Sequence, residues 1–228
     1  MAEQKTPEKA KKGDFVEIEF TGRNSLTGEI FDTNNLSEAK KMNPEIKETK
    51  PLLTCVGQGF IVQGFDQALE NAEVGKSKKI SLSPEKAFGS RNPSLVKMIP
   101  LKIFTAQKVY PQAGMTLALD NSLVKVINVS GGRVLVDFNN PLAGKDVEYE
   151  FVVKKIITDA KEKVNALQNM LFGQAFEFEI DETGKTRKIV FKDLKLAELL
   201  GVFKGKFKEL LGMDVEILAK PEKKEEKK

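Results

Sequence analysis

Apolar side chains alternate or recur along this chain in ways that predict short strands and a few helices. In residues 13–20 the apolar Phe15, Val16, Ile18 and Phe20 stand among Asp14, Glu17 and Glu19, the pattern of a half-buried strand, and Thr21-Gly22 reads as the turn that ends it. Leu26-Thr27-Gly28-Glu29 predicts a second turn, leading to Ile30-Phe31-Asp32. The polar stretch 33–50 predicts a surface bulge with a short helix over residues 37–42. Residues 52–56 read as a strand ending at Gly57, and the spacing of Phe65, Ala68 and Leu69 predicts one short helix packed on a sheet. Residues 79–83 alternate again, with Ile80 and Leu82 on one face, and Pro84 ends the run.

The pattern changes from Ser90 to about Asn139. A loop punctuated by Pro93, Pro100 and Pro111 carries Leu95, Val96, Met98, Ile99, Ile103 and Phe104. Three strand candidates follow, at 115–119, 123–129 and 133–138, with Gly131-Gly132 as a hairpin signal between the last two. Residues 146–153 form a further strong strand, which the first sheet needs for closure, so the β module before it is predicted to be an insertion. Residues 156–172 then show helical spacing through Val164, Leu167, Met170 and Leu171, with Asp159 near the start. Residues 175–180 and 185–191 flank the hairpin signal Asp181-Glu182-Thr183-Gly184, and 194–200 and 203–211 read as two short helices broken near Gly201 and Gly205. A last strand at 215–218 completes an α-β-β-α-α-β order for the C-terminal module. Within it Phe203, Phe207, Leu210 and Leu211 share one helical face, either core or interface, and pairing of two chains through this module is the expectation.

Composition narrows the chemistry. With 228 residues, 40% hydrophobic and 31% charged, the chain has the make-up of a soluble globular protein of two or three modules. No apolar run reaches the ~18 residues of a membrane span, and residues 1–14 lack the apolar segment of a secretory signal, so a cytoplasmic protein without membrane contact is expected. The absence of histidine excludes His-based triads and His-ligated metals, and one cysteine cannot build a thiolate cluster. Cys55, in a strand-like run with no histidine to activate it, reads as a packed structural thiol. The net charge of +4 is spread along the chain, and the mixed-sign residues 220–228 predict a disordered solubilising tail; nucleic acid is not an expected partner.

The most informative stretch is 62–89, together with the upstream Phe20-Thr21-Gly22 and Phe31-Asp32. Gly57, then Ile61-Val62-Gln63-Gly64-Phe65, then Ser83-Pro84-Glu85-Lys86-Ala87-Phe88-Gly89 and finally Tyr149 occur in one order along residues 13–156. This ordered set resembles the FKBP-type peptidyl-prolyl isomerases. The insertion after Gly89 and Pro141-Leu142-Ala143-Gly144-Lys145 resemble the SlyD-like branch, in which a chaperone module replaces the flap, and the C-terminal extension is similar to long archaeal members.

The resemblance implies an α+β fold: an antiparallel FKBP-like sheet wrapped around a short helix (residues 1–89 and 140–157, with 1–12 flexible), an inserted small β domain (90–139) and a C-terminal α+β domain (158–228) with its tail from about residue 220. It implies a pocket lined by Phe20, Phe31, Asp32, Ile61, Val62, Phe65, Phe88 and Tyr149, with Phe65 as its floor and the Ile61 backbone N–H offered to a substrate carbonyl. Phe20 and Phe88 stand where the family commonly has tyrosines, so two hydroxyl donors are missing. The implied activity is rotation of X-Pro bonds in unfolded or nascent polypeptides, without covalent chemistry, cofactor or metal. A holdase chaperone with an inactive pocket is the alternative. Leu95, Met98, Ile99, Ile103 and Phe104 would either hold the client or form the insert's own small core.

Overall fold

The computed structural model describes residues 8–119, 122–183, 186–191 and 197–217, with backbone alone at 197–199. Along the chain run β1 (Phe15–Asn24), β2 (Ile30–Thr33), α1 (Leu36–Met42), β3 (Leu52–Cys55), α2 (Gln63–Leu69) and β4 (Ser77–Leu82). Then come β5 (Val96–Pro100), α3 (Leu101–Ala106), β6 (Thr116–Leu119), β7 (Ser122–Ser130), β8 (Arg133–Asp137) and β9 (Val147–Ile157). The chain continues through α4 (Ala160–Phe172), β10 (Phe178–Asp181), β11 (Lys188–Phe191), α5 (Ala197–Leu211) and β12 (Asp214–Ile217). The protein is α+β. Two compact units comprise the described parts of 1–21, 33–79 and 150–228, and of 22–32 and 80–149. Among the described residues no helix is long and apolar enough to cross a membrane.

In the first unit β3 pairs antiparallel with the start of β1, Phe15 opposite Cys55 and Ile18 opposite Leu52. β1 also neighbours β9, which in turn neighbours β4. Alternation along β1 sends Phe15 and Phe20 to opposite faces. Phe15 and Cys55 join Ile157, Val164, Leu167, Ile189, Phe191, Leu200, Phe207 and Met213 in one buried cluster. The segment after residue 157 is therefore packed onto β1 and β3 through a common core, where the sequence suggests a separate domain. Lys9 forms a β-bridge with Glu73 and Ala10 is fully buried, so the stretch expected to be flexible is pinned from Lys9 onward. Residues 1–7 and the charged tail lie outside the described residues.

Several expected boundaries shift. Ile156 and Ile157 end β9, and α4 starts after Asp159, whose carboxylate caps it by accepting from Glu162 N at 2.8 Å. Gly173, in the left-handed region at φ 71°, closes that helix. Strands β10, β11 and β12 form a sheet in that order, antiparallel then parallel. The two expected helices are a single helix, α5, that runs through Gly201 and Gly205; residues 194–196 and 218 lie outside the described residues. Each interior glycine costs ~1 kcal/mol relative to alanine. Burying a phenylalanine contributes ~1.5–3 kcal/mol, and Phe207 is fully buried with Phe203, Leu210 and Leu211 packed on the same core. Packing outweighs propensity here, and the face that the sequence leaves open as core or interface lies in the chain's own core.

Cys55 is fully buried and its thiol donates to the Gly13 carbonyl at 3.4 Å. Burial, reinforced by the charges of Asp66 and Asp14, pushes this thiol up to about 12. Native protein at pH 8 should therefore resist a thiol-specific disulfide reagent over hours while the guanidinium-unfolded chain reacts within minutes; prompt labelling of the folded protein would contradict this packing. Because the native thiol keeps its proton where the unfolded one, ionising near 9, loses it, this contribution to stability is present below pH 9 and is lost as pH rises toward 12.

In the second unit, β1 ends in a hairpin in which Asn24 accepts from Leu26 N and Thr27 N, and the chain returns with Asn24 N donating to Glu29 O. The insert is a sheet of order β5-β8-β7-β6. Gly131 and Gly132, at φ 55° and 71°, make the two-residue turn between Ser130 and Arg133. The expected proline loop is instead a short 3₁₀ turn followed by β5 and α3. Phe104 is buried with Val124, Val126, Val134 and Val136, and Ile99 packs against them, so these two residues serve the insert's own core. The two strands of chain entering and leaving the insert are clasped: Arg91 bonds Asp137, and Asn139 accepts from Asn92 N and donates to Asn92 O. Burial works to raise the Asp137 carboxyl, but the bonds from Asn139 and the charges of Arg91 and Lys125 outweigh it and hold the group below its ordinary value.

Candidate functional site

Two aromatic groups contain the residues singled out from the sequence, one in each unit. In the first, Phe65 on α2 lies with its ring centroid 5.8 Å from Phe20 and 5.0 Å from Phe151, both tilted contacts. Phe20 and Phe65 are buried, while Ile61 and Val62, in the turn before α2, are half-buried. Val62 caps α2, its carbonyl accepting from Phe65 N and Asp66 N at 2.9 Å.

This arrangement depends on residues the sequence reading missed. Asp66 is buried, and its carboxylate accepts from Gly57 N and Gly59 N at 2.8 Å each, fixing the turn that delivers Ile61 and Val62. Phe20 is held by its backbone: its N–H donates to the Asn34 side chain at 2.7 Å, and its carbonyl accepts from Thr33 Oγ1 at 2.9 Å. Asn34 also donates to Ile18 O at 2.8 Å, so one side chain does the work of a paired strand. Thr21-Gly22 is accordingly part of β1, and the expected turn comes later, after Asn24.

The second unit holds Phe31, Asp32, Phe88 and Tyr149. The Phe31 ring meets both Phe88 and Tyr149 edge-on, with centroids 5.6 Å apart in each case and interplanar angles of 89° and 88°. Gly22 makes that possible: a Cβ there would lie 2.6 Å from Phe31 Cζ and 3.0 Å from Tyr149 Cε1. The glycine of the Phe-Thr-Gly run is required by a ring lying against the strand. Phe88 follows a 3₁₀ turn at Pro84–Lys86 that closes with Gly89 N donating to Pro84 O at 2.7 Å, Gly89 sitting at φ 77°.

A groove of about 460 Å³ opens beside these rings, lined by Phe31, Asp32 and Phe88 with Pro141, Leu142 and Lys145. Tyr149 is buried beneath, and burial together with the nearby Asp32 carboxylate pushes its phenol well above the ordinary value, so it stays protonated at any working pH. Asp32 itself is exposed and lies at the rim of the groove. Within the insert, Leu95, Met98 and Ile103 are exposed, as are Tyr110 and Leu123.

Such surroundings contain aromatic faces, the Tyr149 phenol and the carboxylates of Glu29 and Asp32, with no nucleophile beside them among the described residues, and suit binding of a compact apolar ring better than bond cleavage. The model of the FKBP-type peptidyl-prolyl cis-trans isomerase family matches residues 6–103, and that described as FKBP26, IF domain, matches residues 97–142. A short-type peptidyl-prolyl cis-trans isomerase of Methanocaldococcus jannaschii is 33% identical over 150 residues, covering 64% of this chain and 93% of that protein. FKBP-type peptidyl-prolyl cis-trans isomerases named SlyD are similar too: that of Aeromonas hydrophila at 29% identity (62% of this chain, 61% of the relative) and that of Treponema pallidum at 30% (62% and 74%). The chain belongs to the FKBP-type peptidyl-prolyl cis-trans isomerase family.

Proposed function

We propose that this isomerase rotates X-Pro bonds in unfolded or nascent polypeptides, and that both aromatic groups, Phe20, Ile61, Val62 and Phe65 in one and Phe31, Asp32, Phe88 and Tyr149 in the other, serve that reaction. The observation that carries the reading is the Phe31 ring, set edge-on to Phe88 and Tyr149 with Asp32 next in the chain. Resonance gives the imide a barrier of ~18–20 kcal/mol, and at the twisted transition state the nitrogen is decoupled and the group less dipolar. A dry aromatic wall favours that state over the planar ones, which is catalysis by differential binding with no bond made to the protein. The Asp32 field, felt by Tyr149, acts on the carbonyl as its charge redistributes.

Exposed Leu95, Met98, Ile103 and Leu123 on the insert supply a second, promiscuous contact with the client, raising the local concentration of its prolines. Asp32→Leu should lower the isomerisation rate of a short X-Pro peptide at least tenfold, about 1.4 kcal/mol of barrier. Met98→Asp with Ile103→Asp should leave that peptide rate unchanged but slow catalysis of a proline-limited refolding reaction about tenfold. A wild-type chain that accelerates neither reaction yet suppresses client aggregation is instead a holdase, the reading favoured by the exposed apolar residues of the insert.

A further inference from the structure

A cavity of about 550 Å³ in the first unit is lined by Lys50, Pro51, Leu52 and Leu53 at the start of β3, by Phe60 and Ile61, and by Asn169, Met170 and Gly173 at the end of α4. Its size is that of clefts which bind small ligands or a few residues of peptide, ~300–1,000 Å³. Three features distinguish it from a gap between packed elements. It reaches Ile61, which stands immediately before Val62, the residue that caps α2 and precedes Phe65 by three positions. The turn bearing Phe60 and Ile61 is fixed by the two bonds to buried Asp66, so this wall is preorganised. The opposite wall is fixed as well: α4 is anchored in the shared core by Val164, Ala166 and Leu167, and ends sharply at Gly173.

We infer that Asn169 and Met170 are specificity-determining residues of the isomerase, forming with Leu52, Phe60 and Ile61 a subsite for apolar client residues next to the X-Pro pair. This rests on the function proposed above, in which Ile61 belongs to the reaction site. The occupant is an extended, uncharged stretch of client chain: the lining is largely apolar, with Lys50 at the β3 end and the Asn169 amide at the α4 end. The backbone of such a stretch can be met by that amide, while half-buried Met170, unbranched and polarisable, adapts to differing side chains without selecting one sequence. The segment after residue 157 thus contributes a wall to the site as well as packing onto the core.

The test compares a four-residue X-Pro peptide with a ten-residue one that carries leucines on both sides of the X-Pro pair, using full-length wild type, Met170→Lys and Asn169→Arg. Wild type should show a kcat/KM for the longer peptide five- to tenfold above that for the shorter, arising in KM. Both variants should abolish this preference and leave the four-residue peptide unchanged. Equal loss on both peptides, or a preference retained in Asn169→Arg, which alters an exposed residue and should fold normally, would overturn the subsite. A wild type inactive on the short peptide would overturn the isomerase reading, and the subsite with it; activity on the short peptide without the length preference overturns the subsite alone.

Discussion

Gly22→Ala should reduce kcat/KM for an X-Pro peptide about a hundredfold, the loss expected when a group at a reaction site is displaced by roughly 1 Å. The added methyl would lie 2.6 and 2.8 Å from two atoms of the Phe31 ring and 3.0 Å from Tyr149, and rings set edge-on to each other on two sides cannot all give way in place. Overpacking of this kind costs ~1–3 kcal/mol of stability, so the variant should still fold at 25 °C. Adding Phe31→Leu should restore the denaturation midpoint by relieving the clash, yet leave the rate low because the ring is gone. If Gly22→Ala turned over normally, the Phe31 ring position would have no part in the reaction.

Asp66→Ala should be the most destabilising single change at the site, by about 3–5 kcal/mol. Hydrogen bonds to a charged group contribute ~1.5–3 kcal/mol each, and truncation leaves the Gly57 and Gly59 amides without their acceptor. Asp66→Asn keeps one carbonyl acceptor and should lose about half as much. Urea midpoints of the three proteins report this directly; an Asp66→Ala midpoint within ~1 kcal/mol of wild type would mean that the glycine turn is held by something else. Because that turn carries Ile61 and Val62, peptide KM should rise in step with the lost stability even under conditions where the variant is fully folded.

Much of this was legible in the sequence, and the exceptions have physical reasons. Alternation located β1 and β4, the latter through Ile80 and Leu82 on its less exposed face, and the hairpin glycines 131 and 132 carry a backbone requirement that few other residues meet. The residues of both aromatic groups came from motif order, which period and spacing alone do not supply. The Thr21-Gly22 run was misread as a turn because a glycine required by a ring lying over it is indistinguishable, in one sequence, from a glycine required by positive φ. Gly201 and Gly205 misled for the converse reason: local propensity argued for a break, and burial of Phe207 beyond them prevailed. Asp66, Thr33 and Asn34 went unremarked because their roles lie in bonds to backbone atoms 7–16 residues away, which no local pattern displays. The insert's Phe104 looked like a client contact until its valine neighbours were brought around it by strands that follow it in the chain.

The core that unites Phe15 and Cys55 with Leu200, Phe207 and Met213 also has a consequence for how the molecule is made. Its first members leave the ribosome nearly two hundred residues ahead of its last. Until α4 and α5 arrive, the face of β1 and β3 that carries Phe15 and Cys55 lacks its cover, and closing so long a loop is slow. The isomerase therefore spends much of its own synthesis as an incompletely buried chain bearing eight of its nine prolines, the residue whose preceding bond its family acts on.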